Sequence, residues 1–232
     1  MSIQLYKKKR NFKSTPEPSG KPAKSKSHLA FVVQRHKASH LHYDFRLEID
    51  DVLKSWAVPK GPSLNPKDKR LAMMVEDHPF DYRKFEGIIP EGNYGAGIVE
   101  IWDEGEFSDI NNSEKDIALR TLKAGLHAGS LKFRLNGKKL KGEFALIKLK
   151  TKEDNAWLLI KHKDEFSTTD QYNSETYTAK NSPINKWLNK NKNHSETTRP
   201  KSLNRKVSNL VKKKRTYSFK KKVIESEEGK FL

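Results

Sequence analysis

The stretch HLHYDFRLEI, His40 to Ile49, constrains the fold more than any other. It alternates without a break. His40, His42, Asp44, Arg46 and Glu48 fall on one side, and Leu41, Tyr43, Phe45, Leu47 and Ile49 on the other. A period of two in aromatic and branched residues predicts a β-strand, whose successive side chains point to opposite faces. The odd-numbered face is committed to a core. The even-numbered face carries imidazole, carboxylate and guanidinium groups that an apolar core would exclude. Asp50-Asp51 supplies a turn into Val52–Val58, so a hairpin is expected.

Shorter runs of the same type occur at Ala30–Gln34, Leu71–Glu76, Ile98–Trp102, Leu131–Leu135, Glu143–Lys150 and Trp157–Lys161. Gly61-Pro62, Asn136-Gly137 and Gly142 punctuate them. One segment reads as a helix, with Ser113 as its cap, Ile117, Leu119 and Leu122 as its apolar positions, and Gly125 at its exit. Many short strands with one or two short helices predict a mainly β protein, a small antiparallel β-barrel flanked by basic, partly disordered arms.

The formal charge of +18 is unevenly spread. Residues 1–28 hold 8 Lys/Arg against 1 acid, residues 29–168 hold 23 against 22, and residues 169–232 hold 16 against 6. The expected organisation is therefore a basic N-terminal arm (1–28), a nearly neutral barrel domain (29–168) and a basic tail (169–232). The tail is rich in Asn, Ser, Thr and Lys, with a basic run at 212–222, and is expected to be mostly disordered. Basic arms attract nucleic acid by releasing its counterions. No run of 18 apolar residues exists and no apolar stretch follows Met1–Arg10, so neither a membrane span nor a secretory signal is expected. The absence of cysteine removes disulfides, thiolate nucleophiles and Cys-based zinc sites, and fits a cytoplasmic protein.

Three clusters hold groups capable of chemistry. The even face of His40–Glu48, with His36 four residues ahead of it, offers imidazole and carboxylate ligands suited to Mn²⁺, Zn²⁺ or Fe²⁺ beside an arginine suited to phosphate; an ordinary solvated strand face is the alternative. Glu76-Asp77-His78 offers a proton donor or phosphate contact, or simply a surface turn before Pro79. GIIPEGNYGAG, Gly87 to Gly97, fits neither a Walker loop nor a dinucleotide fingerprint and reads as a tight loop shaping the fold. Lys60 and Arg70 flank a Gly/Pro loop within reach of a phosphate. No serine sits in a nucleophile elbow, so attack by water is simpler than a covalent intermediate.

FVVQRHKASHLHYDFRLEIDDVLKSWAVPKGPSLNP, VEDHPFDYRKFEGIIPEGNYGAG, VEIWDEGEF, WLLIKHKDEF and the leading YKKKRNFKSTPEP together resemble the 3′-phosphoesterase module of bacterial DNA ligase D across residues 5–168. The chain looks like a stand-alone member. The resemblance implies a β-barrel with a metal, usually manganese, on His36, His42 and Asp44. It implies phosphate contacts from Arg46 and His78, activity-linked positions at Lys60, Arg70, Glu76 and Tyr82, and a role for Arg10 and Glu17 in diester cleavage. Two departures stand out. Asn11 occupies a position where an acidic residue is expected, and His40 adds an imidazole expected to face water.

The expected function is a manganese-dependent phosphoesterase that removes 3′-phosphates and 3′-terminal ribonucleosides from DNA or DNA/RNA ends. It would leave a 3′-hydroxyl for repair ligation in non-homologous end joining. The expected partners are primer-template ends, a separate DNA ligase and end-binding repair proteins, met by a monomer in the prokaryotic cytosol or nucleoid. The alternatives are a catalytically silent nucleic-acid-binding module and a phosphatase of small molecules.

Overall fold

A computed structural model describes residues 2–20, 24–25, 27–151 and 154–197, the last six by backbone only. The expected disorder of the tail, where it concerns 198–232 and the basic run at 212–222, lies outside the described residues.

Nine strands are described: β1 (Leu29–Lys37), β2 (Leu41–Ile49), β3 (Val52–Val58), β4 (Lys69–Pro79), β5 (Gly87–Ile89), β6 (Gly97–Asp109), β7 (Ser130–Gly137), β8 (Lys141–Lys148) and β9 (Ala156–Lys161). They pair antiparallel in the order β1-β2-β3-β4-β9-β8-β7-β6, and β1 pairs again with β6. That last pairing closes an eight-stranded barrel and leaves it no free edge; β5 is an extra rung on β6. The hairpin between β2 and β3 forms as expected. Asp50 and Asp51 both adopt φ of 58°, the left-handed geometry that a two-residue turn requires.

The odd-numbered residues of β2 enter the barrel, where Tyr43, Phe45, Leu47 and Ile49 meet Phe31, Trp56, Phe133 and Trp157. β7 shows the bare alternation of a strand whose outer face meets water, but β2 is buried on both faces from Tyr43 onward. The outer face of β2 is covered by protein: Arg46 is held by Gln34 and faces the Tyr82 ring, and Glu48 accepts from the Ser25 and Ala30 N–H groups. Helix α1 (Ile3–Lys8) lies against β4 and buries Tyr6 completely in a second cluster with Leu53, Phe80, Tyr82, Phe85, Ile89 and Val99. Burying one such ring contributes about 2 kcal/mol, enough to fasten a segment that its composition leaves loose.

The predicted helix is α2 (Lys115–Ala128), four residues longer than its expected exit. Gly125 lies inside it, and Gly129 ends it with φ of 77°. Gly125 is small for packing: a Cβ there would come within 2.6 Å of the Ser130 carbonyl.

Order also continues past residue 168. The compact unit runs to Asn189. Tyr172, Ser174 and Ile184 are buried, a 3₁₀ turn spans Ser174–Tyr177, and α3 (Pro183–Thr197) begins within the unit. These anchors are separated by polar residues, so they leave no periodic trace in the sequence. Among the described residues, no helix is long and apolar enough to cross a membrane.

Candidate metal and phosphate site

The outer faces of β1 and β2 carry the centre of the site. His36 and His42 are cross-strand partners, and Asp44 follows His42 by two residues on the same face. The imidazole centroids stand 4.8 Å apart. Backbone carbonyls fix both rings. His36 Nε2 lies 2.9 Å from the Gly95 carbonyl and His42 Nδ1 lies 3.0 Å from the His40 carbonyl. A carbonyl only accepts, so these nitrogens carry the protons and donate. The lone pairs then sit on His36 Nδ1 and His42 Nε2, 3.5 and 3.7 Å from the two oxygens of Asp44. One donor atom from each of the three residues lies within 4.8 Å of the others. Neutral imidazoles oriented through their far nitrogens, converging on a carboxylate, are what a divalent transition metal requires. The three residues therefore fit a divalent transition metal, without selecting among manganese, zinc and iron. His40 is exposed and stays outside the group.

Arg46 lies one strand period beyond Asp44. Its Nε donates to Gln34 Oε1 at 2.7 Å and its Nη2 to Asp44 Oδ2 at 3.0 Å, while Nη1 is buried and makes no hydrogen bond. Burial alone would raise the Asp44 carboxyl, but the charge of Arg46 beside it outweighs that and holds the group well below the ordinary carboxylate range.

The third wall comes from β4. The β3–β4 register shifts between Leu53 and Ser55, so β4 holds one extra residue. This bulge lets Val75, Glu76 and His78 all line one cavity of about 240 Å³ with His36, His42 and Asp44. His78 Nδ1 lies 2.9 Å from the Glu76 carbonyl, which assigns the proton to Nδ1 and leaves Nε2 to accept from Arg10 Nη2 at 3.2 Å. Burial, with the charges of Arg46 and Arg10, pushes His78 well below its ordinary value, so the ring is neutral.

Arg10 closes the fourth side. It donates to Glu17 at 2.8 Å and Glu76 at 3.1 Å, and its guanidinium lies 3.9 Å from the Tyr6 ring centre. Glu17 also accepts from Tyr82 Oη at 3.0 Å and Thr15 Oγ1 at 2.9 Å. The Tyr82 ring in turn lies 4.9 Å from Arg46. The arm is thus a wall of the cavity, held by charge as well as by Tyr6.

Residues 34–148 match the DNA Ligase D 3′-phosphoesterase domain. The barrel belongs to that family. The chain is 51% identical over 162 residues to the multifunctional non-homologous end joining protein LigD of Pseudomonas aeruginosa, a match covering 68% of this chain and 18% of that protein. It is 41% identical over 165 residues to the multifunctional non-homologous end joining DNA repair protein LigD of Mycobacterium tuberculosis, covering 70% of this chain and 20% of that one. The homologue from Mycolicibacterium smegmatis is 41% identical over 172 residues, 70% of this chain and 21% of its own length. The chain thus spans about a fifth of the length of the curated relatives it matches.

Of the site residues expected from the sequence, the phosphoesterase-family barrel gathers His36, His42, Asp44, Arg46, Glu76, His78, Tyr82 and Arg10 around one cavity, with Glu17 directly behind Arg10. Lys60 and Arg70 line two other clefts, of about 310 and 350 Å³, and Arg70 donates to Asp68 and to the Tyr172 carbonyl at 2.7 Å each. A larger cleft of about 660 Å³, beside α2 at Lys123 and Trp157, holds none of the expected residues.

Four contributors escaped the sequence reading: Gln34, Lys9, Tyr94 and Gly95. Gln34 braces Arg46, and strand periodicity two residues before His36 could have found it. Lys9 donates to Glu76 and Tyr94 at 3.0 Å each. Tyr94 and the Gly95 carbonyl belong to the glycine loop, which serves the site as well as the fold. At its end Gly97 passes so close to β1 that a Cβ would sit 2.2 Å from the Lys37 carbonyl.

Proposed function

We propose that the barrel is a manganese-dependent phosphoesterase of nucleic-acid 3′ ends, removing 3′-phosphates and 3′-terminal ribonucleosides to leave a hydroxyl for repair ligation in end joining. The observation that carries this reading is the convergence of two carbonyl-oriented imidazoles and a carboxylate beside a buried arginine with one unspent donor. A divalent ion held by His36, His42 and Asp44 would polarise a phosphoryl oxygen and acidify an attacking water.

The chain's own groups supply the rest. Arg46 keeps Asp44 ionised through Nη2 and presents Nη1 to a phosphoryl oxygen, an interaction that strengthens as charge develops there. His78 is neutral and its Nε2 accepts from Arg10 Nη2, so it would take a proton from water, or donate to phosphate once protonated, only after Arg10 releases that nitrogen. Glu76 and Tyr82 act through Arg10 and Arg46, which they position. Arg10 and Glu17 bring the arm to the cavity, where a departing sugar would be held. Lys60 and Arg70, in clefts of their own, are assigned to the strand leading to the scissile end. The same reading makes primer-template ends the substrate and a DNA ligase and end-binding repair proteins the partners, met by a monomer in the bacterial cytosol or nucleoid.

The test is incubation of the purified protein with Mn²⁺ and two labelled primer-templates, one ending in a ribonucleotide and one in a 3′-phosphate. Conversion of both to 3′-hydroxyl ends, stopped by EDTA, is expected. Tight binding of both ends without turnover would leave a silent binding module, and hydrolysis of small phosphate esters alone would leave a small-molecule phosphatase.

A further inference from the structure

The metal ligands occupy the outer face of β1 and β2. On the inner face of the same two strands, directly behind them, sits another cross-strand pair, Arg35 and Tyr43. Arg35 immediately precedes His36, and Tyr43 lies between His42 and Asp44. Arg35 is completely buried inside the barrel, so its charge needs compensation that solvent cannot give. Glu100 on β6 accepts from Nη1 at 2.8 Å. The other side of the guanidinium is claimed from outside the barrel sequence. Glu175, in the 3₁₀ turn after residue 168, accepts from Nε at 2.9 Å and from Nη2 at 2.6 Å, a bidentate grip. The same carboxylate accepts the hydroxyl proton of Tyr43. Its own position is fixed by neighbours. Ser174 donates to the Pro62 carbonyl at 2.6 Å, Asn173 caps the turn by accepting from the Glu175 N–H at 3.0 Å, and Trp102 donates to Thr178 at 3.1 Å.

We propose that Glu175 is a positioning residue of the metal centre: by holding Arg35 and Tyr43 together from the inner face, it sets the register of β1 against β2 at which His36, His42 and Asp44 converge. This rests on the metal-binding reading above. Neighbouring residues on a strand are coupled rigidly, because a shift or twist that frees Arg35 moves His36 with it. A metal site tolerates displacements of only about 0.5 Å before affinity falls. Loss of a group that orients ligands typically weakens metal binding by roughly 10- to 100-fold. Glu175 touches no ligand directly, so the lower end of that range, about tenfold, is expected. Because Arg35 keeps Glu100, the barrel itself should survive the change.

The test is Mn²⁺ titration of the full chain, followed by the EPR signal of the free ion, for wild type, Glu175→Ala, Glu175→Asp and Tyr43→Phe, with melting temperatures in parallel. Glu175→Ala should weaken Mn²⁺ about tenfold, and Tyr43→Phe, which deletes one of the three contacts and nothing of the ring, should weaken it in the same direction by less. Glu175→Asp should recover part of the loss. Leu140→Ala, a core truncation far along the chain from the site, serves as the stability control and should lower the melting temperature without moving the Mn²⁺ midpoint. An unchanged midpoint in both Glu175→Ala and Tyr43→Phe overturns the proposal, as does an equal shift in the Leu140→Ala control. If wild type binds no Mn²⁺, the metal reading itself fails and Glu175 has nothing to position.

Discussion

Replacing Arg46 by lysine separates the charge of that residue from its shape. The guanidinium does three things with three nitrogens. Nε is held by Gln34, Nη2 neutralises Asp44, and Nη1 is buried without a partner. A lysine brings one compact ammonium that cannot fork. The strongest claim on it is Asp44, whose carboxylate is buried beside it, so the ammonium settles there and Asp44 stays ionised. The contact to a phosphoryl oxygen is then lost. Removing one such preorganised donor raises the barrier by about 3 kcal/mol, or roughly 10²-fold in rate. Loss of the Gln34 bond lowers stability by about 2 kcal/mol. Single-turnover hydrolysis of a 3′-phosphate primer at saturating Mn²⁺ reads the first number, and an Mn²⁺ titration reads the charge retained at Asp44. Arg46→Lys should therefore be slow but should still bind metal, whereas Asp44→Asn should bind it poorly. A wild-type rate in Arg46→Lys would show that Nη1 is not a substrate contact. A loss of metal affinity as deep as that of Asp44→Asn would show that Arg46 serves the ligand set and not the phosphate.

Deletion of residues 190–232 should weaken binding to long duplexes and flatten its salt dependence while sparing hydrolysis of a short saturating substrate, whereas deletion from 169 should also lower the melting temperature by removing Tyr172, Glu175 and Ile184. For Glu175, burial would raise its carboxyl, but the bonds from Arg35 and Tyr43 outweigh it and lower the group from its ordinary value of 4.5. A carboxyl lowered on folding contributes stability that is complete above about pH 4.5 and is lost as pH falls through the lowered value. Thermal melts from pH 6 to pH 3 should show a shallower acid loss for Glu175→Gln than for wild type, and parallel curves would refute the assignment. Asn11 accepts the Lys13 N–H at 3.2 Å in the turn that leads the arm away from Arg10, a bond an aspartate also makes. Asn11→Asp should thus keep the arm in place, raise ribonucleoside removal and leave 3′-phosphate removal unchanged; equal rates for both steps in wild type, unaltered by the substitution, would make the amide neutral.

The strand from His40 to Ile49 announced the fold because one face had to be apolar and the other could not be. That contrast carried the hairpin and set an imidazole, a carboxylate and a guanidinium on one face. It did not carry the burial of the polar face. His36, Asp44 and Arg46 are nearly inaccessible because the glycine loop, Tyr82 and the arm at Arg10 close around them, and the arm is fastened by Tyr6, with Ile3 and Phe12 on the same cluster, and by the ion pairs of Arg10. Three apolar residues at such spacing, among lysine, proline and serine, leave no period to detect. The same holds at the other end, where Glu175 serves a buried arginine 140 residues away. Its partner was visible only as an arginine on the wrong side of an otherwise apolar run.

Glu76 and His78 show a different limit. A regular strand from Leu71 onward would send alternate residues to one face, and Ala72 and Met74, of the same parity, do pack toward the barrel core. Glu76 and His78 instead share the outer cavity with Val75. The reversal needs one extra residue in β4, and the register between β3 and β4 shows that insertion. No feature of VEDHP marks a bulge, since none of its residues demands a special backbone angle. The bulge is fixed by what surrounds it: the His78 ring packs against Tyr6 and Tyr82, with centroids 5.0 and 4.7 Å away, and Glu76 is held between Lys9 and Arg10. The arm therefore both closes one side of the cavity and supplies the partners that keep β4 turned toward it, so loss of the arm would cost the cavity its His78 as well as its Arg10.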